Sequence, residues 1–379
     1  MKKYSLIAMA LFGCFTVFAQ VRNPFYIGHS LVNEDLPAMV QALAVDAGLT
    51  THYNKQLING ATMSYNWEHH ATASGMSYQS AFPGGNFNTL VITEAVPLQN
   101  HLTWSNSFLA ANNFYNYAKN NNNGEPIRFY IYETWHCKNS GIPQTEFPTG
   151  CAYDDSENSN TLWQPRLLLD FPLWSGIVSH VRDQNPTDNE IWMVPAGQAF
   201  YNLTNQINAG NLPGMSNVFS LFSDDIHLTN AGNYFVACVM YATIYRQSPV
   251  GLTSSISDQW GTPYTNLPTT AQALIMQQVA WQTVTDLSAW SGVTSSLSND
   301  VLENQKITIY PNPAANYITL DTKENTIEDV LIYNSLGALV KKESLRNKTI
   351  NISELPTGLY FIRFQNSSLK PLKFIKGIN

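Results

Sequence analysis

Four short apolar runs, each followed by a stretch of helical periodicity, place the strongest constraint on the fold of this chain. The runs are residues 25–27, 90–92, 127–132 and 191–194. Runs of this kind predict buried strands, and strands that alternate with helices need crossover connections. The sequence therefore predicts an α/β fold with a mainly parallel sheet that helices cover on both faces.

The predicted helices and strand ends together indicate where a functional site would lie. The helical stretches are residues 36–47, 107–119, 167–181 and 231–245, with a further one at 271–284. Ser30, Glu94 and Glu133 each come just after a predicted strand. Because reactive groups collect at the carboxyl ends of parallel strands, we expect these three residues to share one edge of the sheet.

The two ends of the chain differ in character from its middle. A basic start, Met1-Lys2-Lys3, precedes an apolar run at 6–18, and Val17 and Ala19 supply small residues for cleavage before Gln20. This pattern is typical of a secretory signal peptide, and it is too short for a membrane anchor. No later segment is long and apolar enough to predict a membrane span. We expect four parts: a signal peptide at 1–19, a main domain at 20–250, a helical extension and linker at 251–304, and a small domain at 305–379.

The charges are distributed unevenly between these parts. Residues 301–379 contain ten Lys or Arg and seven Asp or Glu, a net charge of +3, and the predicted signal peptide carries +2. The net charge of the whole chain is −7, so residues 20–300 carry a net charge of −12. Such a shift predicts two units with different surfaces. An acidic body argues against nucleic acid and anionic membranes as partners, and it leaves a neutral or a cationic substrate.

Residues 306–379 alternate short apolar runs with turn residues, which is the pattern of a small all-β sandwich. Three strings within it, at 309–313 (IYPNP), 332–337 (IYNSLG) and 355–360 (LPTGLY), resemble the C-terminal sorting domain of the type IX secretion system. The resemblance implies recognition by the type IX secretion machinery and export across the outer membrane of a Bacteroidetes-type bacterium, with release or attachment at the cell surface. An ordinary carbohydrate-binding β-module is the alternative.

The cysteines fit an exported protein. Cys14 leaves with the signal peptide, and Cys137 and Cys151 flank a loop rich in Gly and Pro and could form a disulfide in an oxidising compartment. Cys238 lies in an apolar helical run and is expected to be a buried thiol. No pair has the spacing of a zinc site, and the sequence indicates no cofactor.

Two short segments almost two hundred residues apart carry the chemistry. The first, Gly28-His29-Ser30-Leu31, ends the first predicted strand, and the second, Asp224-Asp225-Ile226-His227, precedes the last predicted helix of the main domain. A serine hydroxyl becomes nucleophilic at neutral pH when a histidine removes its proton and an acid orients that histidine. Asp224 lies within one turn of His227, so a single loop can fix both groups. Asp225 is adjacent and could compete for this role.

These two segments resemble the first and last blocks of the SGNH (GDSL-type) hydrolase superfamily, over about residues 23–248. The resemblance implies a flavodoxin-like three-layer sandwich and acyl transfer, with Ser30 as nucleophile, His227 as general base and Asp224 as the orienting acid. It also implies an oxyanion site made by the backbone amides of Ser30 and Gly60. Where the family has Gly-x-Asn-Asp, this chain has Glu94 after the strand, so another donor must replace the asparagine.

Further polar and aromatic residues follow the same strands and loops. Glu94, Trp67, His70, Glu133 and Trp135 are candidates for binding substrate, because tryptophans can stack on sugar rings and acidic or histidine side chains can bind hydroxyls. Both tryptophans could instead be core aromatics. His69, His70 and His136 leave open a metal-dependent hydrolase, although their spacing matches no strong metal motif.

The sequence therefore predicts a secreted serine esterase that removes an acetyl or another small acyl group from a carbohydrate through a covalent acyl-Ser30 intermediate. The carbohydrate part of this prediction rests on what exported SGNH relatives commonly do. A lipase or arylesterase of the same mechanism is one alternative. A non-catalytic glycan-binding protein on the same scaffold is another.

Overall fold

A computed structural model describes residues 21–142, 154, 156–294, 308–321, 329–334, 339–344, 348–364 and 372–377. The chain forms two compact units, residues 1–294 and residues 295–379. The predicted signal peptide with Cys14 lies outside the described residues, as do Cys151 and residues 295–304 of the predicted extension and linker.

Six strands and ten helices build the described part of the first unit. The strands are β1 (Pro24–Gly28), β2 (Asn54–Leu57), β3 (Ser74–Gly75), β4 (Thr89–Ile92), β5 (Arg128–Glu133) and β6 (Ile191–Pro195). The helices are α1 (Asp35–Asp46), α2 (Met63–Glu68), α3 (Tyr78–Ala81), α4 (Leu98–Trp104), α5 (Ser107–Asn121), α6 (Trp163–Gln184), α7 (Ala196–Asn208), α8 (Asn230–Tyr245), α9 (Thr270–Asp286) and α10 (Ser288–Ser291).

The six strands form one sheet in the order β3-β2-β1-β4-β5-β6. All neighbours are parallel except β3, which runs antiparallel to β2 at the edge. The five parallel strands therefore follow the order 2-1-3-4-5, which is the doubly wound order of flavodoxin-like sheets. The prediction of an α/β fold with a mainly parallel sheet is confirmed. The strand order reverses between β1 and β4, where such sheets usually bind ligands.

Alternate residues of each central strand face two separate apolar clusters. In β1, Tyr26 belongs to the cluster under α1, α7 and α8, while Phe25 and Ile27 belong to the cluster under α3 and α5. The strands carry apolar residues on both faces, and helices cover both faces of the sheet, so the two clusters are buried. Helix α8 is apolar on all sides, since it packs between α1 and α9 as well as on the sheet.

Several parts of the first unit differ from the sequence-based expectation, which included neither strands β2 and β3 nor helices α2, α3, α4 and α7. Strand β2 was not predicted, because its residues include Lys55 and Gln56; both are buried, Lys55 pairing with Glu34 and Gln56 bonding to Asn66 and Tyr78. Residues 251–304 were expected to be a helical extension and linker, with a helix at 271–284. That helix is confirmed as α9, which packs on α7 and α8, so the described residues 251–294 belong to the compact unit and not to a linker.

A close backbone contact at Gly232 gives the first testable prediction. A methyl group there would lie 2.5 Å from the carbonyl oxygen of Leu221, which accepts hydrogen bonds from Thr229 at the start of α8. We expect Gly232→Ala to lower the free energy of unfolding by about 1–3 kcal/mol. The control is Gly176→Ala in α6, where the added methyl would meet nothing within 4 Å. Urea denaturation would contradict this account if the two variants had equal stability.

The described part of the second unit is entirely β-structure. Its strands are β7 (Thr308–Tyr310), β8 (Tyr317–Asp321), β9 (Asp329–Asn334), β10 (Leu339–Ser344), β11 (Thr349–Asn351), β12 (Gly358–Phe364) and β13 (Leu372–Lys376). They form an antiparallel four-stranded sheet, β10-β9-β12-β13, and a three-stranded sheet, β11-β8-β7. Ile318, Ile332, Ile362 and Phe374 from the two sheets share one apolar cluster. The predicted small all-β domain is confirmed.

Candidate functional site

Ser30 lies in a tight turn directly after β1, at the carboxyl edge of the sheet. The carbonyl of His29 accepts hydrogen bonds from the amides of Val32 and Asn33, which closes the turn. Gly28 permits this path, because a side chain there would lie 2.6 Å from Val32 and 3.0 Å from Thr93. The turn therefore packs closely against the end of β4 and presents Ser30 at the switch point of the sheet.

The side chain of His29 ties this turn to the end of β4. It is 4% exposed, its Nε2 lies 3.1 Å from the carbonyl oxygen of Glu94, and its Nδ1 lies 3.3 Å from the amide nitrogen of Leu31. The carbonyl needs a donor and the amide needs an acceptor, so the neutral ring with hydrogen on Nε2 satisfies both. Burial lowers the pKa of His29 to about 4, which keeps the ring neutral. His29 was not predicted to have a role, although it stands beside Ser30 in an otherwise apolar segment of the sequence.

Ser30, His227 and Asp224 form a continuous hydrogen-bonded chain. The hydroxyl of Ser30 lies 2.9 Å from Nε2 of His227, and Nδ1 of His227 lies 2.7 Å from Oδ2 of Asp224. The other carboxylate oxygen of Asp224 accepts hydrogen bonds from the amides of Ile226 and His227. Burial raises the pKa of Asp224, but these bonds and the neighbouring ring outweigh it and lower the pKa overall, so the group stays ionised.

The loop that carries Asp224 and His227 is held from two sides. The indole Nε1 of Trp135 donates to the carbonyl of Ile226 at 2.8 Å, and the amide of Lys138 donates to the carbonyl of Asp225 at 2.8 Å. Within the loop, the amide of Ser223 donates to the carbonyl of His227. The segment after β5 therefore fixes the position of the histidine relative to Ser30.

Ser30 and His227 open onto a cleft of about 590 Å³. More polar than apolar residues line its walls. The polar residues are Asn33, Glu34, Asp35, Asn59, Thr72, Ser74, Asn230 and Asn233, and the apolar ones are Leu57, Ile58 and Leu228. These wall residues form no motif in the sequence, because they come from four separate segments, residues 33–35, 57–59, 72–74 and 228–233, that only the fold brings together.

The predicted oxyanion donors lie on two loops at this edge. Ser30 lines the cleft, and so does Asn59, the residue before Gly60. Gly60 is exposed with φ of 71°, a left-handed conformation that glycine adopts without strain. In the described parts of the chain, neither the Ser30 nor the Gly60 amide has a hydrogen-bond acceptor, so both are able to donate to a ligand. Gly60 itself is not a wall residue of the cleft.

Glu94 is buried and does not contact the cleft, so its predicted role in binding substrate is wrong. It is fully shielded from solvent, and its Oε1 accepts hydrogen bonds from the amides of Met63 and Ala95. Burial raises the pKa of Glu94 to about 7 against the effect of these bonds. Glu94 instead connects the start of α2 to the end of β4, beneath the turn of Ser30.

The other four predicted substrate-binding residues also lie away from the cleft walls. Trp67 stacks on Tyr78 at 4.8 Å between ring centroids, and His70 bonds to Ser77 at 2.8 Å. Trp135 is 2% exposed and Glu133 is 1% exposed, so neither can touch a bound sugar. The prediction is wrong for Glu133 and Trp135, because a strand end does not fix which way a side chain points. Trp135 is a core aromatic, as the alternative held, and Trp67 is partly buried against the apolar cluster under α3 and α5. For Trp67 and His70 a role in binding substrate stays a prediction.

The buried carboxyl group of Glu133 predicts how the free energy of unfolding depends on pH. It accepts hydrogen bonds from Gln198, and burial raises its pKa to about 8. The folded protein therefore binds this proton more tightly than the unfolded chain, whose glutamate titrates near 4.5. The contribution of Glu133 to the free energy of unfolding is fully present below pH 4.5 and is lost as the pH rises through 8. This contribution is at most about 5 kcal/mol.

We therefore expect Glu133→Gln to gain stability relative to the native protein as the pH rises from 5 to 8. Urea denaturation at both pH values measures this difference. Glu125→Gln, at an exposed position, is the control and should leave the pH dependence unchanged. Parallel behaviour of the two variants would contradict the buried-proton account.

The histidines named as possible metal ligands do not converge. His69 stacks on Tyr65, His70 bonds to Ser77, and Nε2 of His136 lies 3.3 Å from Asp154. No group of three or more His, Cys, Asp or Glu suited to a metal occurs within the described ranges. The residues thus offer no support for the metal-dependent alternative.

The cysteines separate into one bonded and one free residue. Cys137 is disulfide-bonded, and Cys238 is a free, buried thiol in α8 whose pKa burial raises to about 12. The predicted buried thiol is confirmed. Cys151, the predicted partner of Cys137, lies outside the described residues.

Residues 308–376 match the family model of the secretion system C-terminal sorting domain. These residues are a type IX secretion sorting domain. The sorting domain directs export through the type IX secretion system, to the cell surface or the surroundings, and supports a Bacteroidetes origin. This confirms the predicted localisation and the predicted secretion machinery as a partner. Across the described parts of the chain, no helix combines the length and apolar character needed to cross a bilayer.

Two known proteins are similar to parts of the chain. An ulvan lyase from Nonlabens ulvanivorans is 29% identical over 82 residues, which are 21% of this chain and 15% of the lyase. The chain thus spans a small fraction of that relative's length. The crystal structure of a DUF4886 family protein from Bacteroides uniformis matches with a TM-score of 0.48 and 13% identity, covering 73% of this chain and 98% of that protein.

Proposed function

We propose that the first unit is an SGNH-type serine esterase that removes small acyl groups, most simply acetyl, from carbohydrates. Ser30 attacks the ester carbonyl while His227 takes the hydroxyl proton, and the same histidine then returns a proton to the departing sugar oxygen. Water hydrolyses the acyl-Ser30 ester with His227 again acting as base. These steps release the carboxylic acid and free the serine.

One observation carries this proposal: the chain of contacts from Ser30 through His227 to Asp224. Its distances of 2.9 Å and 2.7 Å are those of ordinary hydrogen bonds, so proton transfer needs no rearrangement of the site. The chain order, serine first and the Asp-x-x-His segment last, also agrees with the SGNH resemblance. The flavodoxin-like strand order is consistent with that family.

Gly60 and the backbone of Ser30 are the proposed oxyanion donors. Asn59 is a wall residue of the cleft beside Gly60, and its side-chain amide has no hydrogen-bond partner among the described residues. We assign Asn59 as a candidate for the donor that replaces the family's asparagine. Glu94 cannot serve in that position, because it does not line the cleft.

The walls of the cleft support a polar, uncharged substrate. Asparagine, threonine and serine side chains suit the hydroxyl groups of a sugar, and the carboxylates of Glu34 and Asp35 would repel an anionic ligand. Leu57, Ile58 and Leu228 offer room for a short acyl group rather than a long chain. This distinguishes the proposal from a lipase of the same mechanism.

The chain-length profile of ester hydrolysis tests this substrate class. We expect kcat/KM to be at least about tenfold higher for p-nitrophenyl acetate than for the octanoate, because only three of the residues that line the cleft are apolar. Acetate release from acetylated xylan should accompany it. A preference for octanoate would indicate a lipase, whereas no turnover of any ester, together with binding of the polysaccharide, would indicate a glycan-binding protein.

A further inference from the structure

We propose that a cavity at the opposite edge of the sheet binds a small oxyanion, a carboxylate, sulfate or phosphate group. The cavity has a volume of about 190 Å³, and Arg22, Arg128 and Arg246 line it. Arg22 precedes β1, Arg128 begins β5 and Arg246 follows α8, so all three lie at the amino-terminal edge of the parallel strands. Ser30 lies at the carboxyl edge, and the inference is therefore independent of the proposed esterase.

The cavity holds more positive than negative charge. Glu190 is the acidic residue next to these arginines, and both of its carboxylate oxygens are already engaged. Arg128 donates to them at 2.6 and 3.2 Å, Arg246 donates at 2.8 Å, and the indole of Trp192 donates at 3.0 Å. Three guanidinium groups and one carboxylate leave an excess of two positive charges around the cavity.

Among the described residues, the guanidinium group of Arg22 lacks an ion-pair partner, and one nitrogen of Arg246 lacks a hydrogen-bond acceptor. Within the described ranges, Arg22 forms no ion pair, and burial together with the neighbouring charge of Arg128 lowers its pKa to about 10. The Nε atom of Arg246 is buried and has no hydrogen-bond acceptor there. An N–H left without an acceptor in a protein interior is costly, and an anion in the cavity would supply both an acceptor and a counter-charge.

Two features oppose anion binding, and neither removes the local charge excess. The carboxyl end of α8 beside Arg246 contributes about half a negative charge. The body of the protein is acidic, but salt screens charges more than about 8 Å away, whereas the three arginines are in direct contact with the cavity.

The geometry of guanidinium groups determines the class of ligand. Their planar N–H pairs match the paired oxygens of carboxylate, sulfate and phosphate, and do not match halide ions. A cavity of about 190 Å³ accepts one such group and excludes a whole oligosaccharide. The ligand is therefore a free oxyanion or a single charged group that projects from a larger molecule.

Titration of the purified protein with sodium sulfate at constant ionic strength, balanced with sodium chloride, tests the site. The side-chain Nε–H signals of arginine in ¹⁵N NMR spectra report binding at the residues concerned. We expect saturable shifts, and we expect Arg22→Gln to weaken the apparent affinity at least tenfold. Arg22 has no ion pair to lose, so this variant should fold normally, and its melting curve without sulfate verifies that.

Lys138→Gln is the matched control, because it removes one positive charge at a different cavity. It should leave the affinity for sulfate within about twofold of the native value. Arg22→Lys retains the charge but loses the planar fork, and we expect an intermediate affinity. Shifts that do not saturate, or equal affinities of native protein and Arg22→Gln, would overturn the proposal.

Titrations with two further kinds of ligand identify the source of the oxyanion. Inorganic phosphate and acetate represent free ions, and methyl glucuronide represents a carboxylate carried on a sugar, with methyl glucoside as its neutral counterpart. Tighter binding of the glucuronide than of acetate would support a charged carbohydrate group as the ligand. Equal binding would support a free ion. Absence of saturable binding by every one of these anions would overturn the site.

Discussion

Replacing Ser30 with alanine is expected to lower kcat/KM for p-nitrophenyl acetate at least about a thousandfold. The variant keeps the imidazole of His227 but removes the oxygen that forms the acyl intermediate, so only the binding and oxyanion contributions to the rate remain. The hydroxyl has one described contact, the 2.9 Å bond to His227. We therefore expect the free energy of unfolding to change by no more than about 1 kcal/mol.

Ser74→Ala is the matched control for this experiment. Ser74 is a wall residue of the same cleft, and its hydroxyl donates to Glu34 at 3.1 Å rather than to a histidine. Its loss should change kcat/KM less than about threefold. Hydrolysis by Ser30→Ala at more than a tenth of the native rate would contradict the assignment of Ser30 as nucleophile.

The second large effect is expected at Asp224. In Asp224→Asn the neutral amide no longer stabilises the charged ring that forms when His227 takes the serine proton, and it also favours the wrong tautomer. We expect kcat to fall about a hundredfold or more while KM changes little. The side chain of Asp224 is 55% exposed, so water replaces part of the lost interaction and the effect should be smaller than at Ser30.

The neighbouring carboxylate supplies the control for that variant. Asp225 is half-buried, and within the described chain its side chain makes no ion pair with His227. Asp225→Asn changes the net charge by the same amount and should leave kcat within about threefold. If the two variants lost activity equally, the effect would come from the charge of the loop and not from orientation of the histidine.

Much of the fold could be predicted from the sequence because its central strands are buried on both faces. The strands at residues 90–92 and 191–194 are continuous apolar runs, which is the signature of a covered parallel sheet. Strand β2 lacks this signature, since Lys55 and Gln56 are buried only with the help of Glu34 and Asn66. Such tertiary pairing is not visible in a local pattern.

The candidate site likewise has one part that could be predicted from the sequence and another that could not. The motif around Asp224 and His227 is short and local, so its internal geometry could be anticipated from spacing. The aromatic residue Trp135 was predicted to face the substrate, yet it lies in the core and supports the loop through the carbonyl of Ile226. The direction of a side chain that follows a strand depends on the conformation of the next loop, and a local sequence pattern does not show that conformation.

Intact-mass analysis after treatment with a fluorophosphonate tests the central claim most directly. The reagent phosphonylates a serine only where a base has activated it, with fluoride as the leaving group. Peptide mapping is predicted to find one adduct, on Ser30, and none in Ser30→Ala or after heat unfolding. An intact, folded protein that acquires no adduct at Ser30 would contradict the existence of an activated serine at this site.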